Sequence, residues 1–227
     1  MLNKLLFGVY PYIAFAVCLI GCWIRFDREQ YTWKAGSSQM LSNNNMRLAS
    51  NMFHVGVLFI LMGHFVGLLT PEAIYHHFIS TQAKQLLAMI TGGFFGIVCL
   101  IGLLILTERR VNDPRVRASS NPSDIALLFL LLVQLSLGLI SISVSAQHLD
   151  GSEMVLLATW AQSIVTLQVD TAVASIANVN TIYKLHVLLG LTLVLIVPFT
   201  RLVHVISAPI WYLFRPYQIV RKKSAQI

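Results

Sequence analysis

Charge is what this sequence has least of. Only 11% of its 227 residues are Asp, Glu, Lys or Arg, and 56% are hydrophobic. An ordinary soluble domain carries about 25% charged residues, so a fully water-facing surface cannot be built from this chain. The ten-residue alternation of an outer-membrane barrel is missing too. Cysteine is scarce: Cys18, Cys22 and Cys99 occur without a C-x-x-C pair and read as small buried hydrophobes. There is no C-x-x-C-H, which excludes covalent attachment of a c-type haem. Iron–sulfur cluster and molybdenum motifs are absent from the chain. With no internal repeat and no low-complexity linker, residues 1–227 parse as one integral domain.

What is present is apolar length. Five runs, about 5–24, 48–69, 85–106, 124–146 and 182–207, are each long enough to cross about 30 Å of hydrocarbon as a helix. The expected fold is an all-α integral membrane protein with five transmembrane helices. The net charge of +7 would suggest nucleic acid in a soluble protein, but its distribution argues otherwise. Thirteen of the sixteen basic residues fall on one side: Arg25, Arg28, Lys34 and Arg47, then Arg109, Arg110, Arg115 and Arg117, then Arg201, Arg215, Arg221, Lys222 and Lys223. The other side holds Lys4, Lys84 and Lys184. By the positive-inside rule the N-terminus is outside and the C-terminus, with a tail over about 208–227, is cytoplasmic. The partners implied are membrane lipid and not nucleic acid. Leu19-Ile20-Gly21-Cys22 resembles a lipoprotein processing site, but Arg25 and Arg28 directly after it anchor an uncleaved helix.

The connections are polar and short. Ser42-Asn43-Asn44-Asn45 can cap the second helix, Asn112-Asp113-Pro114 ends the third, and Asn121-Pro122-Ser123-Asp124 offers capping chemistry to the fourth. The longer outer connection, about 147–181, carries Met154, Leu156, Leu157, Trp160, Ile164 and Leu167 at amphipathic spacing. It is expected to lie on the bilayer with Trp160 at headgroup level, or alternatively to act as a lid. Trp211 and Tyr212 read as an aromatic belt before a basic tail that touches anionic lipid or docks a cytoplasmic partner.

Four histidines, His54, His64, His186 and His204, sit inside the second and fifth runs. Ionisable residues inside a membrane are costly and therefore functional candidates, and imidazole is the usual axial ligand of haem iron. Three reversals separate the two runs, so they are antiparallel: His54 is level with His204 near the cytoplasm, and His64 with His186 near the outside. Two pairs at two depths suit two non-covalent haems, of b type. The ten residues from His54 to His64 rise about 15 Å, and the eighteen from His186 to His204 about 27 Å. A kink at Pro198 is expected to absorb the difference and leave the irons about 20 Å apart. Gly56, Gly63, Gly67 and Gly190 would admit a flat macrocycle, while Gly92 and Gly96 read as helix-packing residues. Arg201 and Arg47 could neutralise propionates. A proton relay or metal site in a transporter or channel subunit is the alternative reading of the same histidines.

Across nearly its whole length the chain resembles the gamma subunit, a diheme cytochrome b, of respiratory membrane-bound nitrate reductases. The resemblance rests on Tyr10-Pro11-Tyr12-Ile13, Gln30-Tyr31-Thr32-Trp33, Ser38-Gln39-Met40-Leu41, Phe53-His54, Gly63-His64, Pro114-Arg115-Val116-Arg117-Ala118, Ser145-Ala146-Gln147-His148, Asp150-Gly151-Ser152-Glu153-Met154 and Arg201-Leu202 with His204. It implies His64 and His186 as ligands of an outer haem and His54 and His204 of an inner one, with Gly63 beside them. It also implies quinol oxidation near the outer haem, where Lys84 can hold a quinone oxygen or instead simply anchor a helix end. Electrons would pass to an iron–sulfur subunit and then to a molybdenum subunit that reduces nitrate, all at a bacterial inner membrane; the alternative keeps both haems but serves another quinone-linked reductase. The chain departs from the family pattern at residues 168–181 and around His76-His77.

Overall fold

The computed structural model describes residues 1–34, 36–38, 40–41, 45–207 and 214–217. Residues 42–44 of the polar run and Trp211, Tyr212, Arg221, Lys222 and Lys223 of the tail lie outside the described residues. Among the described residues, five helices have the length and hydropathy to cross a membrane: Lys4–Arg28, Met46–Leu69, Thr81–Asn112, Pro122–Ser145 and Thr181–Phe199. An apolar run in lipid must satisfy every backbone group internally, and the helix is the element that does so within one segment. In chain order the α-helices are α1 (Tyr10–Arg28, after a π-helical turn Lys4–Val9), α2 (Met46–Leu69), α3 (Glu72–Tyr75), α4 (Thr81–Asn112), α5 (Pro114–Ala118), α6 (Pro122–Ser145), α7 (Ser152–Val165), α8 (Val169–Ala177) and α9 (Thr181–Ile196).

Glycine sets the closest helix contact. A Cβ on Gly102 of α4 would stand 2.6 Å from the Phe53 backbone nitrogen, and one on Gly56 of α2 would stand 2.6 Å from Cys99 Cβ. Gly56 is therefore a packing residue between α2 and α4, not part of a macrocycle pocket. Gly96 packs on Leu139 as expected, but a Cβ on Gly92 would meet nothing within 4 Å, so the packing role expected of Gly92 is not present.

The connection between α6 and α9 differs most from expectation. Its amphipathic spacing does form helix, but the apolar face of α7 and α8 is covered by the chain itself: Trp160, Ala161, Ile164, Ala172 and Ile176 share a core with Phe7, Ala14, Tyr183 and Leu191. Trp160 is 8% exposed, so its ring packs against protein and not lipid. Pro11 explains its position. It has no N–H to give the Phe7 carbonyl four residues back, and the Trp160 indole donates there instead, at 3.0 Å. Gln162 donates to the Leu68 carbonyl (3.0 Å) at the end of α2, and the Tyr12 hydroxyl to the Ile164 carbonyl (2.9 Å). Trp160→Phe keeps the ring but leaves the Phe7 carbonyl buried and unpaired, so it should cost about 1–3 kcal/mol in a detergent unfolding assay.

The opposite end of the bundle is held by arginine. Helix α4 runs six residues beyond its expected end at 106, because Arg109 and Arg110 turn inward instead of joining the loop. They are 6% and 8% exposed. Arg109 donates to Ser38 Oγ (2.8 Å) and the Ser38 carbonyl (2.9 Å), and Arg110 to Ser120 Oγ (3.0 Å). Asn121 caps α6 with Asp124 closing a capping box and Pro122 at the first turn, as the sequence suggests. The fifth span does not continue as a helix to 207. It ends at Ile196, passes through a 3-10 turn Val197–Phe199 and an extended Thr200, and resumes as a 3-10 turn Arg201–Val205. Pro198 ends the α-helix by removing a donor and crowding the preceding turn. Arg25 of α1 donates to the Pro198 (2.7 Å) and Thr200 (2.9 Å) carbonyls that the break leaves without helical partners.

Candidate functional site

The four histidines meet in two pairs. The ring centres of His64 and His186 are 5.9 Å apart, toward the end covered by α7 and α8. Those of His54 and His204 are 6.4 Å apart, toward the arginine end. Two imidazoles on opposite faces of one iron, each bound at about 2.0 Å, would have ring centres about 6 Å apart, and both pairs match that span.

Their hydrogen bonds fix the tautomers. His54 Nδ1 lies 2.7 Å from the Ser50 carbonyl, His64 Nδ1 2.8 Å from that of Ile60, His186 Nδ1 3.1 Å from that of Gln134, and His204 Nδ1 2.6 Å from that of Arg201. A carbonyl oxygen can only accept, so each Nδ1 carries the proton and each Nε2 keeps its lone pair. This is the protonation a metal-ligating imidazole needs. The Gln134 amide is 3.5 Å from His186 Nε2, beyond ordinary hydrogen-bond range, and it too would meet a lone pair. Among the described residues no group of three or more His, Cys, Asp or Glu gathers to hold a metal ion. The donor set is two imidazole pairs, which suits a haem and not a four-ligand zinc site.

The break at Pro198 reconciles the two rises. His186 and Ile196 are ten residues apart on α9, and His54 and His64 are ten apart on α2, so both helices climb about 15 Å between levels. The 3-10 turn then brings His204 across to His54.

The other expected site residues fall as follows. A Cβ on Gly63 or Gly67 would meet nothing within 4 Å, so their face of α2 can admit a flat ring edge. Arg47 is exposed at the start of α2, lining a shallow depression of about 440 Å³ with Asn45, Leu48 and Asn51. Seven residues separate it from His54, placing both on one stripe about 10 Å apart in height. Arg201 is already committed: its Nε donates to Asp124 Oδ1 at 2.8 Å, and a terminal nitrogen contacts Asp124 Oδ2. Lys84 has its Nζ buried, 3.7 Å from the centre of the Tyr75 ring, and among the described residues no hydrogen-bond partner for it is found. It does not extend to a polar surface as an anchoring lysine would. Tyr75 in turn reaches Thr81 Oγ1 (3.2 Å), which His76 Nε2 also meets (2.8 Å).

Sequence reasoning missed Gln134, Gly138 and the pairing of Asp124. A lone amide in the middle of an apolar span was the available signal for Gln134. Nothing in the sequence marks the distant partner of Asp124, since its capping role accounts for it locally.

The chain is similar to known proteins over nearly its whole length. A family model described as nitrate reductase gamma subunit matches residues 3–223. The chain is 51% identical over 222 residues to the respiratory nitrate reductase 1 gamma chain of Escherichia coli (strain K12), covering 98% of each chain. It is 48% identical over 222 residues to the respiratory nitrate reductase 2 gamma chain of the same organism, again covering 98% of each. To the nitrate reductase gamma chain of Bacillus subtilis (strain 168) it is 34% identical over 225 residues, covering 99% of this chain and 100% of the relative.

Proposed function

The chain belongs to the nitrate reductase gamma subunit family, and on that footing we propose that it oxidises quinol in the membrane and passes the electrons through two b-type haems to partner subunits. The observation that carries this reading is the pair of imidazole pairs, each ring with its Nδ1–H on a carbonyl and its Nε2 free to ligate. When bound, the haems supply one-electron carriers at two levels of the bundle. His64 and His186 would hold one near the α7–α8 end, and His54 and His204 the other near the arginine end. Gly63 leaves room beside the first, and Arg47 stands where it can meet a propionate of the second.

Lys84 is the residue proposed to orient quinol. A buried ammonium without an acceptor is unfavourable, and a quinone oxygen is an acceptor of the right kind. The quinol gives up two electrons and two protons, and Lys84 would hold the oxygen while the protons leave on the same side. By the positive-inside rule that side is the outside, with the N-terminus, and the arginine end and C-terminus face the cytoplasm. There an iron–sulfur subunit would take the electrons and a molybdenum subunit would use them to reduce nitrate. Each electron carried inward works with or against the membrane potential by about 2.3 kcal/mol per 100 mV. The placement follows as multi-pass in a bacterial inner membrane.

Lys84→Met tests the quinol role in the intact complex. Losing a charge-assisted hydrogen bond of about 1.5–3 kcal/mol should lower kcat/KM for quinol by about 10- to 150-fold. Haem content and viologen-driven nitrate reduction should not change. An unchanged quinol rate would remove Lys84 from the site. A reduced-minus-oxidised spectrum separates the whole reading from a transporter or channel subunit, which would show no b-type band.

A further inference from the structure

The ligands on α2 and those on the fifth span are oriented by different means. His54 and His64 each bond to the carbonyl four residues earlier in their own helix, so α2 orients its own rings. His186 instead reaches across to α6, where the Gln134 carbonyl accepts its Nδ1–H. The Cε1 edge of its ring faces the space left by Gly138, since a Cβ there would stand 3.0 Å from His186 Cε1 and 3.7 Å from both ring nitrogens. His204 sits on a 3-10 turn and bonds to the Arg201 carbonyl. That turn is tied to α6 by the two-point contact of Arg201 with Asp124, and Arg110 also lies 3.6 Å from Asp124.

We propose that α6, which carries no candidate ligand, positions both fifth-span imidazoles. Gln134 and Gly138 set His186, while Asp124, acting through Arg201, sets His204. The inference rests on the haem reading above and extends it to residues that touch no iron. An acceptor on Nδ1–H fixes ring orientation and raises ligand basicity. A more basic ligand favours ferric over ferrous iron, so each contact lowers the potential of its own haem. Asp124 acts one step further out, by holding the turn that carries both the Arg201 carbonyl and His204. A shared helix would thus adjust the two carriers independently from two points, Asp124 near its start and Gln134 with Gly138 in its middle.

The test uses the intact complex, reading the ferric low-spin signals and the midpoint potential of each haem. The ring planes differ, 36° in the His64–His186 pair and 65° in the His54–His204 pair, so the two signals should be separable. Gly138→Ala should shift the signal and raise the potential of the His64–His186 haem alone. Asp124→Asn should do the same to the His54–His204 haem alone, and Asp124→Glu should restore it. Gly96→Ala is the control: its Cβ would press on Leu139 Cδ2 at 2.6 Å, disturbing α6 without facing an imidazole, and it should move neither haem. If Gly138→Ala does not assemble, Gly190→Ala presses the Gln134 amide at 3.2 Å and should shift the same haem. Potentials that stay fixed, or that move together in both variants and in the control, overturn the proposal. A wild-type complex with fewer than two haems would instead overturn the reading beneath it.

Discussion

Replacing His186 by Ala is expected to remove one haem of two and to stop quinol-driven nitrate reduction while leaving viologen-driven nitrate reduction intact. His186 is half of the 5.9 Å pair, and His64 alone cannot clamp an iron from both faces. Without that carrier the next level is about 15 Å farther along α2, and electrons leaving quinol have no intermediate stop. The quinol-dependent rate should fall by at least about 100-fold, or about 2.7 kcal/mol in barrier. Viologen delivers electrons to the partner subunits directly, so its rate reports their integrity. If haem content stays at the wild-type level in His186→Ala, the ligand assignment is wrong.

The complementary variant, His54→Ala, should fail at a different step. Its 6.4 Å partnership with His204 would be lost, while the His64–His186 pair stays complete because those rings donate their Nδ1–H to the Ile60 and Gln134 carbonyls. Quinol should still reduce the remaining haem, but added nitrate should not reoxidise it, and steady-state turnover should again drop by at least about 100-fold. Stopped-flow reduction followed by a nitrate chase distinguishes the two variants. His186→Ala should show no rapid reduction phase, and His54→Ala should show reduction without reoxidation. Identical traces would contradict a linear path through two levels.

The parts of this site that depend on order along the chain were legible in the sequence. Antiparallel spans place His54 level with His204 and His64 level with His186, and the structure brings together those same rings. Pro198 announced a distortion, because a missing N–H inside an apolar run has few remedies. What sequence could not supply was tertiary partnership. The spacing of Met154 to Ile164 read correctly as an amphipathic helix, whereas Leu167 lies past its end at Val165 and is exposed; the face the helix buries could have been lipid or protein. Only Phe7, left with a free carbonyl by Pro11, shows why Trp160 turns inward. Arg109 and Arg110 looked like loop cations, and their burial follows from Ser38 and Ser120, 71 and 10 residues away. Arg201 looked available for a propionate because Asp124, 77 residues distant, had a sufficient local role as a cap.

Haem stoichiometry tests the central claim most directly. A pyridine extract of the purified complex, set against the amount of this chain, should give two non-covalent haems b per chain, and replacing His54 and His186 together by Ala should abolish both. One haem or none in the wild type, or a full complement that survives the double replacement, would contradict the account.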